Sequence, residues 1–572
     1  MSQPAGNSSS MLASAMSGTT ILIFVQLASR LFVFASNQMV LRSLSPSILG
    51  ISAQLELFLI SILYFSRESI RAAIRRQPLQ RPAVYSAAAD KDTGLSGEEH
   101  ERKFQAIQAT SSQTIVNMSY LSIAMGIITA TALSVFYVHF ASDEVSETPY
   151  YHASVAITAI ASLVELSSEP IFAVVQQYML YSKRAAVEIS AAFFKSLVTC
   201  GISIWAARCG HSLGSLPFAL GHFSYALMIL CGYFLIALRQ SNEWNFSVLL
   251  SRISPSENSA YLRDRFSWRL MKLSANVHFQ SVVKHLLTQG DSMILAAMAS
   301  LQDQGIYSLA SNYGGLLARI LFQPIEESSR NIFSSLLHSK GSKGQEVNII
   351  TAKAHLLNVM RGYMMVTVLI IPLGPTLAPK VLHILGGRRW TAPEVDGLLS
   401  LYCYYIPFLA FNGIGEAFVS STASPSELRK QAAWMGMFSV CFALAAYLFL
   451  SMGGLGARGL VYANIVNMAV RIIWSFTFVR QYLRQYKLDL CLSEFAPRAP
   501  TNAAGAIVAV LLSDMGSRII SEGDLIPFIV GGIYALLVLY CEREHVMTHY
   551  IKVYQFFKSK KKGTKLENIK AD

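Results

Sequence analysis

The chain has 572 residues, of which 53% are hydrophobic and only 14% are charged. Soluble domains average about 25% charged residues, so the composition excludes an ordinary cytosolic enzyme, a disordered protein and a nucleic-acid-binding protein. The apolar residues form repeated blocks of about 18–25 residues, each long enough to cross roughly 30 Å of hydrocarbon. We therefore predict an all-α polytopic membrane protein.

About fourteen transmembrane helices are predicted, and an even number places both termini on the same side of the membrane. Pro324 predicts a kink in the eighth span. Residues 377–385 are apolar but too short to span, and they indicate a re-entrant or interfacial piece. The predicted spans are 18–40, 47–66, 113–140, 152–179, 185–207, 215–238, 273–300, 304–329, 354–373, 398–420, 432–451, 459–479, 501–520 and 525–541.

The Lys and Arg residues outside the spans are divided unevenly between the two sides. With a cytosolic N-terminus, the cytosolic segments hold 34 of them and the opposite side holds 7. Cytosolic loops carry an excess of Lys and Arg, so both termini are predicted to be cytosolic, and the net charge of +13 reflects topology. The N-x-S/T sequons at Asn7, Asn117 and Asn245 then lie in the cytosol or in a span, and we expect no glycan on them.

The segments and motifs outside the spans indicate no catalysis. Residues 75–112 hold Pro, Ser, Asp and Glu with few large apolar residues, and they are predicted to be disordered. The seven Cys residues include no C-x-x-C pair, so no disulfide framework or zinc site is indicated. The G-x-G-x-x-G match at 454–459 has no βαβ unit around it. We predict a protein that is not an enzyme, with no catalytic residue, no metal site and no cofactor.

Short internal matches indicate that the chain contains two parallel halves. A Gly-Ile pair opens the second span at Gly50, and another opens the eighth span at Gly305. The same spans close on the similar segments 68–71 (ESIR) and 327–330 (ESSR). Each match is weak alone, but all of them share an offset of six spans.

A second match supports the same offset. Glu169 in the fourth span and Glu416 in the tenth each precede a pair of basic residues. A parallel repeat of six plus six helices with two added helices is a transporter architecture. The predicted organisation is a cytosolic N-terminus (1–17), an N-lobe of helices 1–6 (18–238, with the cytosolic loop 67–112), a cytosolic inter-lobe linker (239–272), a C-lobe of helices 7–12 (273–479), helices 13–14 (480–541) and a basic cytosolic tail (542–572).

Several charged side chains lie inside or beside the predicted spans, where a charge at the bilayer centre costs at least about 2.5–3.5 kcal/mol on insertion scales. Such residues face the bundle interior or water. A wet cavity lined with Arg and Lys attracts an anion, and a guanidinium group binds a phosphate or pyrophosphate bidentately. The alternative is buried ion pairing that fixes helix packing. The candidate cations are Arg30, Arg67, Lys284 and Arg319.

Polar and acidic side chains accompany these cations within the same spans. Amides hydrogen-bond sugars or line water, and the acids balance the cations. The residues predicted to line the cavity are Glu68, Glu169, Gln289, Asp291, Asn312, Gln323, Glu327, Asn412, Glu416, Asn464 and Asn467.

Five groups of residues together resemble the Rft family of endoplasmic-reticulum membrane proteins. The similarity covers nearly the whole membrane region, while the 75–112 insert and the last twenty residues carry none. The matching segments are 64–71 (YFSRESIR), 164–170 (VELSSEP), 304–307 with 318–328 (QGIY and ARILFQPIEES), 412–418 (NGIGEAF) and 463–472 (ANIVNMAVRI).

The resemblance implies membership of the multidrug/oligosaccharidyl-lipid/polysaccharide exporter superfamily, with two six-helix lobes around a central cavity. It also implies a flippase that moves dolichyl-pyrophosphate heptasaccharide from the cytosolic to the lumenal leaflet of the endoplasmic reticulum for N-glycosylation. By the same resemblance, functional arginines map to Arg42, Arg67 and Arg471. The implied partners are the dolichyl-pyrophosphate oligosaccharide, the lipid bilayer and other membrane proteins of the glycosylation pathway.

The expected mechanism is alternating access. The head group enters a cytosol-facing cleft, Arg and Lys hold the pyrophosphate while the lobes rock, and the polyprenyl tail stays in lipid. Two alternatives remain open. One is an accessory factor that supports glycolipid assembly without carrying substrate. The other is an ion-coupled solute antiporter that uses acids such as Glu56, Glu169 and Asp291.

Overall fold

The computed structural model describes residues 38–39, 41–42, 44–75, 97–178, 180–240, 246–253, 261–337, 345–386, 390, 392–423, 425–518 and 525–543. Within these ranges the chain is helical except for turns, short connections and one two-stranded hairpin. Almost all of the first predicted span, including Arg30, lies outside the described residues, as do the sequons at Asn7 and Asn245.

The chain divides into two compact units, which are residues 1–305 (unit 1) and residues 306–572 (unit 2). The elements are α1 (Pro46–Arg75), α2 (Gly97–His139), α3 (Asp143–Ser146), α4 (Tyr151–Leu166), α5 (Glu169–Gln177), α6 (Tyr181–Cys209), α7 (Leu216–Gln240), β1 (Tyr261–Leu262), β2 (Phe266–Ser267), α8 (Trp268–Met298), α9 (Leu301–Leu317), a π-helical segment (Ala318–Phe322), α10 (Gln323–Leu337), α11 (Gln345–Gly386), α12 (Pro393–Thr422), α13 (Pro425–Tyr447), a second π-helical segment (Leu448–Met452), α14 (Gly456–Arg484), a short 3-10 helix (Leu492–Glu494), α15 (Ala499–Arg518) and α16 (Ile526–Cys541).

The division between the units falls inside α9. Helix α8 belongs to unit 1 because it packs along α1. The sequence predicts lobes at 18–238 and 273–479 with a linker between them, and that assignment stays a prediction.

Eight helices in the described part of the chain are long and apolar enough to cross a membrane, and the bent pair α4 and α5 adds a ninth if it forms one span. Two shorter apolar helices lie within α15 and α16. A polytopic helical membrane protein is therefore confirmed, whereas the number of fourteen spans is not. The predicted seventh and eighth spans are not among the eight, because α8 carries many polar residues and the π-helical segment divides the eighth.

The irregularity in the predicted eighth span lies where the sequence predicts a kink. The π-helical segment ends at Phe322, and Pro324 follows as the second residue of α10. A proline inside a helix lacks the backbone donor and clashes with the carbonyl four residues earlier. A widened turn at this position relieves that clash.

Part of the predicted disorder in 75–112 is wrong, because α2 begins at Gly97 and runs without a break to His139. The spacing of charges explains the difference. Glu98 precedes Arg102 by four residues, and Glu99 precedes Lys103 by four. Glutamate four residues before a basic residue stabilises a helix, so composition alone misjudged this segment.

The interpretation of 377–385 as a separate re-entrant or interfacial piece is also wrong. These residues form the C-terminal end of the 42-residue helix α11, which contains Pro372, Pro375 and Pro379 in its interior.

Side chains from two other helices replace backbone donors that the prolines of α11 remove. The Tyr534 hydroxyl donates, over 2.9 Å, to the carbonyl four residues before Pro372. The Ser400 hydroxyl donates, over 2.6 Å, to the carbonyl four residues before Pro379. Because hydrocarbon offers no donors of its own, such side-chain bonds let a helix with internal prolines persist across a membrane.

The hairpin of β1 and β2 and the segment before it pack on α2. Asn117 of α2 is fully buried, and its side-chain nitrogen donates to the carbonyls of Ser251 and Arg265 at 2.8 and 2.9 Å. The nitrogen that would carry a glycan at this sequon is therefore enclosed by the fold.

The glycines of the two Gly-Ile pairs that suggested an internal repeat, Gly50 and Gly305, lie against each other in unit 1. A Cβ atom added at Gly50 would overlap the carbonyl oxygen of Leu301, and one added at Gly305 would overlap the carbonyl oxygen of Pro46. The N-terminal turns of α1 and α9 thus meet backbone to backbone, which needs a residue without a side chain on each side.

We expect Gly50→Ala to lower the free energy of unfolding by about 1–3 kcal/mol, because the new methyl group overpacks the α1–α9 contact. Thermal unfolding of the purified protein in detergent measures the change. Gly362→Ala in α11 is the matched control, since an added Cβ there meets no atom within 4 Å and alanine favours a helix. Equal loss of stability in both variants would contradict the close contact.

Candidate functional site

The predicted fourth span is broken in the middle. Helix α4 ends at Leu166, α5 begins at Glu169, and the two helices are bent by 41°. Pro170 occupies the first turn of α5, where a proline costs no intrahelical hydrogen bond. The break brings the last turn of α4 and the first turn of α5, with Glu165 and Glu169, to the same side.

Two arginines of α1 meet these two glutamates. Arg67 donates from Nη1 to Oε1 of Glu165 at 2.7 Å and to Oε1 of Glu169 at 3.2 Å. Arg71 donates from Nε and Nη2 to the two carboxylate oxygens of Glu169 at 2.9 and 2.5 Å. We call these four residues the α1–α5 ion cluster. A bidentate guanidinium–carboxylate pair of this kind is among the strongest hydrogen-bonded contacts in proteins.

The cluster is electrically balanced and largely withdrawn from solvent. The Glu169 side chain is 2% exposed and those of Arg67 and Arg71 are 22% and 23% exposed. The guanidinium carbon of Arg71 lies 3.9 Å from the centre of the Phe172 ring, a cation–π contact. The two positive and two negative charges compensate each other. Arg67 therefore fits the alternative to anion binding, in which buried ion pairs fix the packing of helices. Its predicted contact with pyrophosphate stays a prediction.

The sequence predicts Arg67 and Glu169 as cavity residues. Their partners Arg71 and Glu165 are absent from that prediction. A signal was present, because both pairs are spaced four residues apart and therefore share a helix face. Glu68, which is predicted to line the cavity, pairs with Arg75 at 3.0 Å on α1, and its place in a cavity stays a prediction.

Helix α8 presents three different faces. One face packs on α1 through polar contacts, in which Nε2 of His285 lies 2.9 Å from the Ser61 hydroxyl and the hydroxyls of Ser274 and Ser69 lie 3.4 Å apart. A second face is apolar and exposed. Its members are Phe279, Val283 and Leu286.

The third face of α8 is polar and exposed. It carries residues spaced four apart, so they fall in one line along the helix. We call them the α8 polar stripe, and they are Asn276, Gln280, Lys284 and Thr288. A line of polar side chains with a charge cannot face acyl chains without a cost of several kcal/mol, so we expect this face of α8 to lie against water or a polar ligand.

The stripe includes one predicted cation, Lys284. Within the part of the chain that the structure describes, no carboxylate pairs with the Lys284 ammonium group. Two other predicted residues of α8, Gln289 and Asp291, are half-buried. Gln289 lies off the stripe, whereas Asp291 follows Lys284 by seven residues and so falls on the same side of the helix. Sequence reasoning missed the remaining stripe residues, although their spacing was visible.

In unit 2 the predicted residues gather around α12. Arg471 of α14 donates from Nη2 to Oε1 of Glu416, and Asn464 of α14 donates to the Tyr307 hydroxyl at 3.0 Å. A cavity of about 390 Å³ brings together predicted residues from α10 and α12, which are Gln323, Glu327, Asn412 and Glu416. The same cavity is lined by Glu326 and Arg330, which the prediction of cavity residues omitted.

The other predicted residues lie apart from these contacts. Arg42 and Asn312 are exposed, and Asn467 is half-buried on α14. The side chain of Arg319 lies outside the described residues, although its backbone belongs to the first π-helical segment.

Comparison with known proteins gives a consistent set of relatives. A family model described as Rft protein matches residues 14–552. The chain is 34% identical to the Man(5)GlcNAc(2)-PP-dolichol translocation protein RFT1 of Yarrowia lipolytica, covering 84% of this chain and 72% of that protein. The proteins of the same name from Schizosaccharomyces pombe and Mus musculus are 33% and 26% identical. They cover 91% and 88% of this chain, and 92% and 87% of their own lengths are matched.

Two solved structures resemble the fold. The lipid II flippase MurJ in an inward closed conformation has a TM-score of 0.55 at 12% identity, over 92% of this chain and 100% of that chain. An inward-facing multidrug resistance MATE family transporter of the MOP superfamily has a TM-score of 0.56 at 12% identity, over 80% and 95%. At this identity the likeness shows a shared fold, that of polytopic helical exporters.

We expect Glu169→Gln to lower the free energy of unfolding by about 3–5 kcal/mol, because it leaves buried guanidinium groups uncompensated. The double variant Arg71→Gln with Glu169→Gln should lose less than the sum of the two single variants. Thermal unfolding in detergent measures both effects.

Glu188→Gln is the control for that series, since its pair with Arg184 at 2.7 Å is more exposed and should contribute at most about 1 kcal/mol. A Glu169→Gln variant as stable as the Glu188→Gln variant would show that the ion cluster does not hold α1 to α5.

Proposed function

The chain belongs to the Rft protein family, and we propose that it moves dolichyl-pyrophosphate-linked heptasaccharide from the cytosolic to the lumenal leaflet of the endoplasmic-reticulum membrane. The named relatives from fungi and mouse, described as Man(5)GlcNAc(2)-PP-dolichol translocation proteins, support this substrate. The helical exporter fold supports a carrier.

The observation that carries the proposal is the α8 polar stripe. A glycan crossing the membrane must exchange its water for other hydrogen-bonding partners, because unsatisfied hydroxyls in hydrocarbon are costly. The amides of Asn276 and Gln280 donate and accept, as sugar hydroxyls require. Lys284 adds a positive charge, which a pyrophosphate attracts.

The two exposed faces of α8 match the two parts of this substrate. The polar stripe suits the pyrophosphate and the sugars. The apolar face with Phe279, Val283 and Leu286 suits a polyprenyl tail, which can stay in lipid throughout. We propose that the glycolipid lies along α8 in this manner while the protein alternates between cytosolic and lumenal access.

The cations differ in how far other charges already compensate them. Arg67 contacts Glu165 and Glu169, and Arg471 contacts Glu416. Lys284 has no such partner among the described residues. We therefore propose Lys284 as a direct pyrophosphate contact. Arg67 and Arg471 are proposed as contacts that form when their present pairs rearrange, and Arg42 as a further contact.

The proposal extends to features that follow from carrying a glycolipid. No bond is made or broken, so the protein is not an enzyme and needs no metal or cofactor. Both termini face the cytosol, as the distribution of Lys and Arg predicts. Other membrane proteins of the glycosylation pathway supply the substrate and consume it.

Purified protein reconstituted alone into vesicles tests the proposal. Movement of dolichyl-pyrophosphate heptasaccharide is followed by the fraction of glycan that an added mannose-binding lectin can reach. We expect Lys284→Gln to slow the movement by roughly tenfold, the equivalent of about 1.4 kcal/mol, because the pyrophosphate loses a cation.

Lys183→Gln is the matched control, because Lys183 is an exposed lysine like Lys284 but belongs to α6. Its rate should equal that of the unchanged protein. Equal rates for all three proteins would remove Lys284 from the pathway. Absence of movement with the unchanged, folded protein would favour the accessory-factor alternative.

A further inference from the structure

The cavity between α10 and α12 in unit 2 contains more negative charge than positive partners. Glu326, Glu327 and Glu416 contribute carboxylates, and Arg330 is the basic residue in its lining. Glu416 is already paired with Arg471 from α14. Among the described residues, no basic side chain lies within ion-pair distance of Glu326.

Because residue 413 is a glycine, the Glu326 carboxylate can lie against the backbone of α12 in this cavity. A Cβ atom added at Gly413 would overlap that carboxylate. Helix α10 therefore places the acid directly on the backbone of α12, one residue away from Asn412. Within the segment 412–416 (NGIGE), Asn412 provides an amide and Glu416 provides the second acid of the cavity. Gly413 leaves the space that the Glu326 carboxylate occupies.

The side-chain oxygen of Asn412 lacks a partner in this cavity. Asn412 is 8% exposed, and its Oδ1 atom accepts no hydrogen bond among the described residues. A buried, unsatisfied amide oxygen costs about 1–3 kcal/mol. Both this oxygen and an ionised carboxylate can only accept, so a species with positive charge or with donors satisfies both at once.

The predicted internal repeat allows the two units to be compared at this position. When segment 68–71 is matched to 327–330, Arg67 corresponds to Glu326, and Glu169 corresponds to Glu416. In unit 1 the arginine compensates its glutamate. In unit 2 the equivalent position carries a second glutamate, so the equivalent site lacks one positive charge.

We infer that this cavity binds a small monovalent cation, with the Glu326 carboxylate and the Asn412 amide oxygen as its ligands and Na⁺ as the ion that suits them. Carboxylate and amide oxygens are the ligands that hard cations prefer. A divalent ion does not fit as well, because no group of three His, Cys, Asp or Glu side chains within the described ranges is placed to hold a metal ion.

Thermal unfolding of the full-length protein in detergent tests the inference, with NaCl replaced stepwise by choline chloride at constant ionic strength. A ligand that binds the folded protein raises its unfolding temperature in a saturable manner. We expect Na⁺ to raise the unfolding temperature by several degrees relative to choline, and the Glu326→Gln variant to lose that shift.

Glu326→Gln is expected to fold, because a glutamine amide at this position can donate to the unpartnered Asn412 oxygen. Asn412→Ala gives a second variant that should also lose the Na⁺ shift. Glu394→Gln, at an exposed acid in the first turn of α12, should keep the full shift.

A Na⁺ shift of unchanged size in Glu326→Gln and Asn412→Ala would overturn the assignment, as would the absence of a shift in the unchanged protein. Stabilisation that follows pH but not Na⁺ would also overturn it and would identify a protonated Glu326 instead. The readout does not involve transport, so either result leaves the proposed translocation to be judged separately.

Discussion

The pairing of Arg67 and Arg71 with Glu165 and Glu169 is the interaction on which unit 1 depends. Charges in an apolar helix must be compensated by opposite charges or lie against water, and here glutamates of α4 and α5 compensate the arginines of α1. The pairing attaches α1 to the broken α4–α5 segment. On its other side α1 holds α8 through Ser61 and His285. Helix α1 therefore connects α8, which carries the polar stripe, to the helices that carry the glutamates of the ion cluster.

Unit 2 uses related sequence segments with a different balance of charge. Where unit 1 has an arginine beside its glutamate, unit 2 has Glu326 beside Glu416, and Arg471 comes from a third helix instead. The cluster in unit 1 is closed by internal pairing, whereas unit 2 keeps an acidic cavity with an unsatisfied amide. Under the predicted repeat, one changed position distinguishes the paired cluster from the acidic cavity.

Much of the architecture could be predicted from sequence because it rests on local patterns. Apolar blocks predict the helices. The contact between Gly50 and Gly305 was not predicted, because the two glycines were interpreted only as the same position of a repeat. The continuity of α11 through its prolines could not be predicted, because the compensating donors Ser400 and Tyr534 come from helices remote in sequence. Which predicted cations are paired was only partly visible, through the four-residue spacing of Arg67 with Arg71 and of Glu165 with Glu169. The position of a residue in a predicted span marks Arg67 and Lys284 equally as candidate cations. Only the structure shows that Arg67 contacts glutamates and that Lys284 pairs with no described carboxylate.

A carrier and an accessory factor differ in whether the glycolipid touches α8, and photo-crosslinking measures that directly. A photoreactive amino acid placed at Gln280, at Val283 or at the exposed Leu235 of α7 is irradiated in vesicles that contain dolichyl-pyrophosphate heptasaccharide. Capture of the glycan end at 280 and of the polyprenyl tail at 283, with neither at 235, is the result expected of a substrate that lies along α8. Equal capture at all three positions, or no capture at 280, would contradict the account.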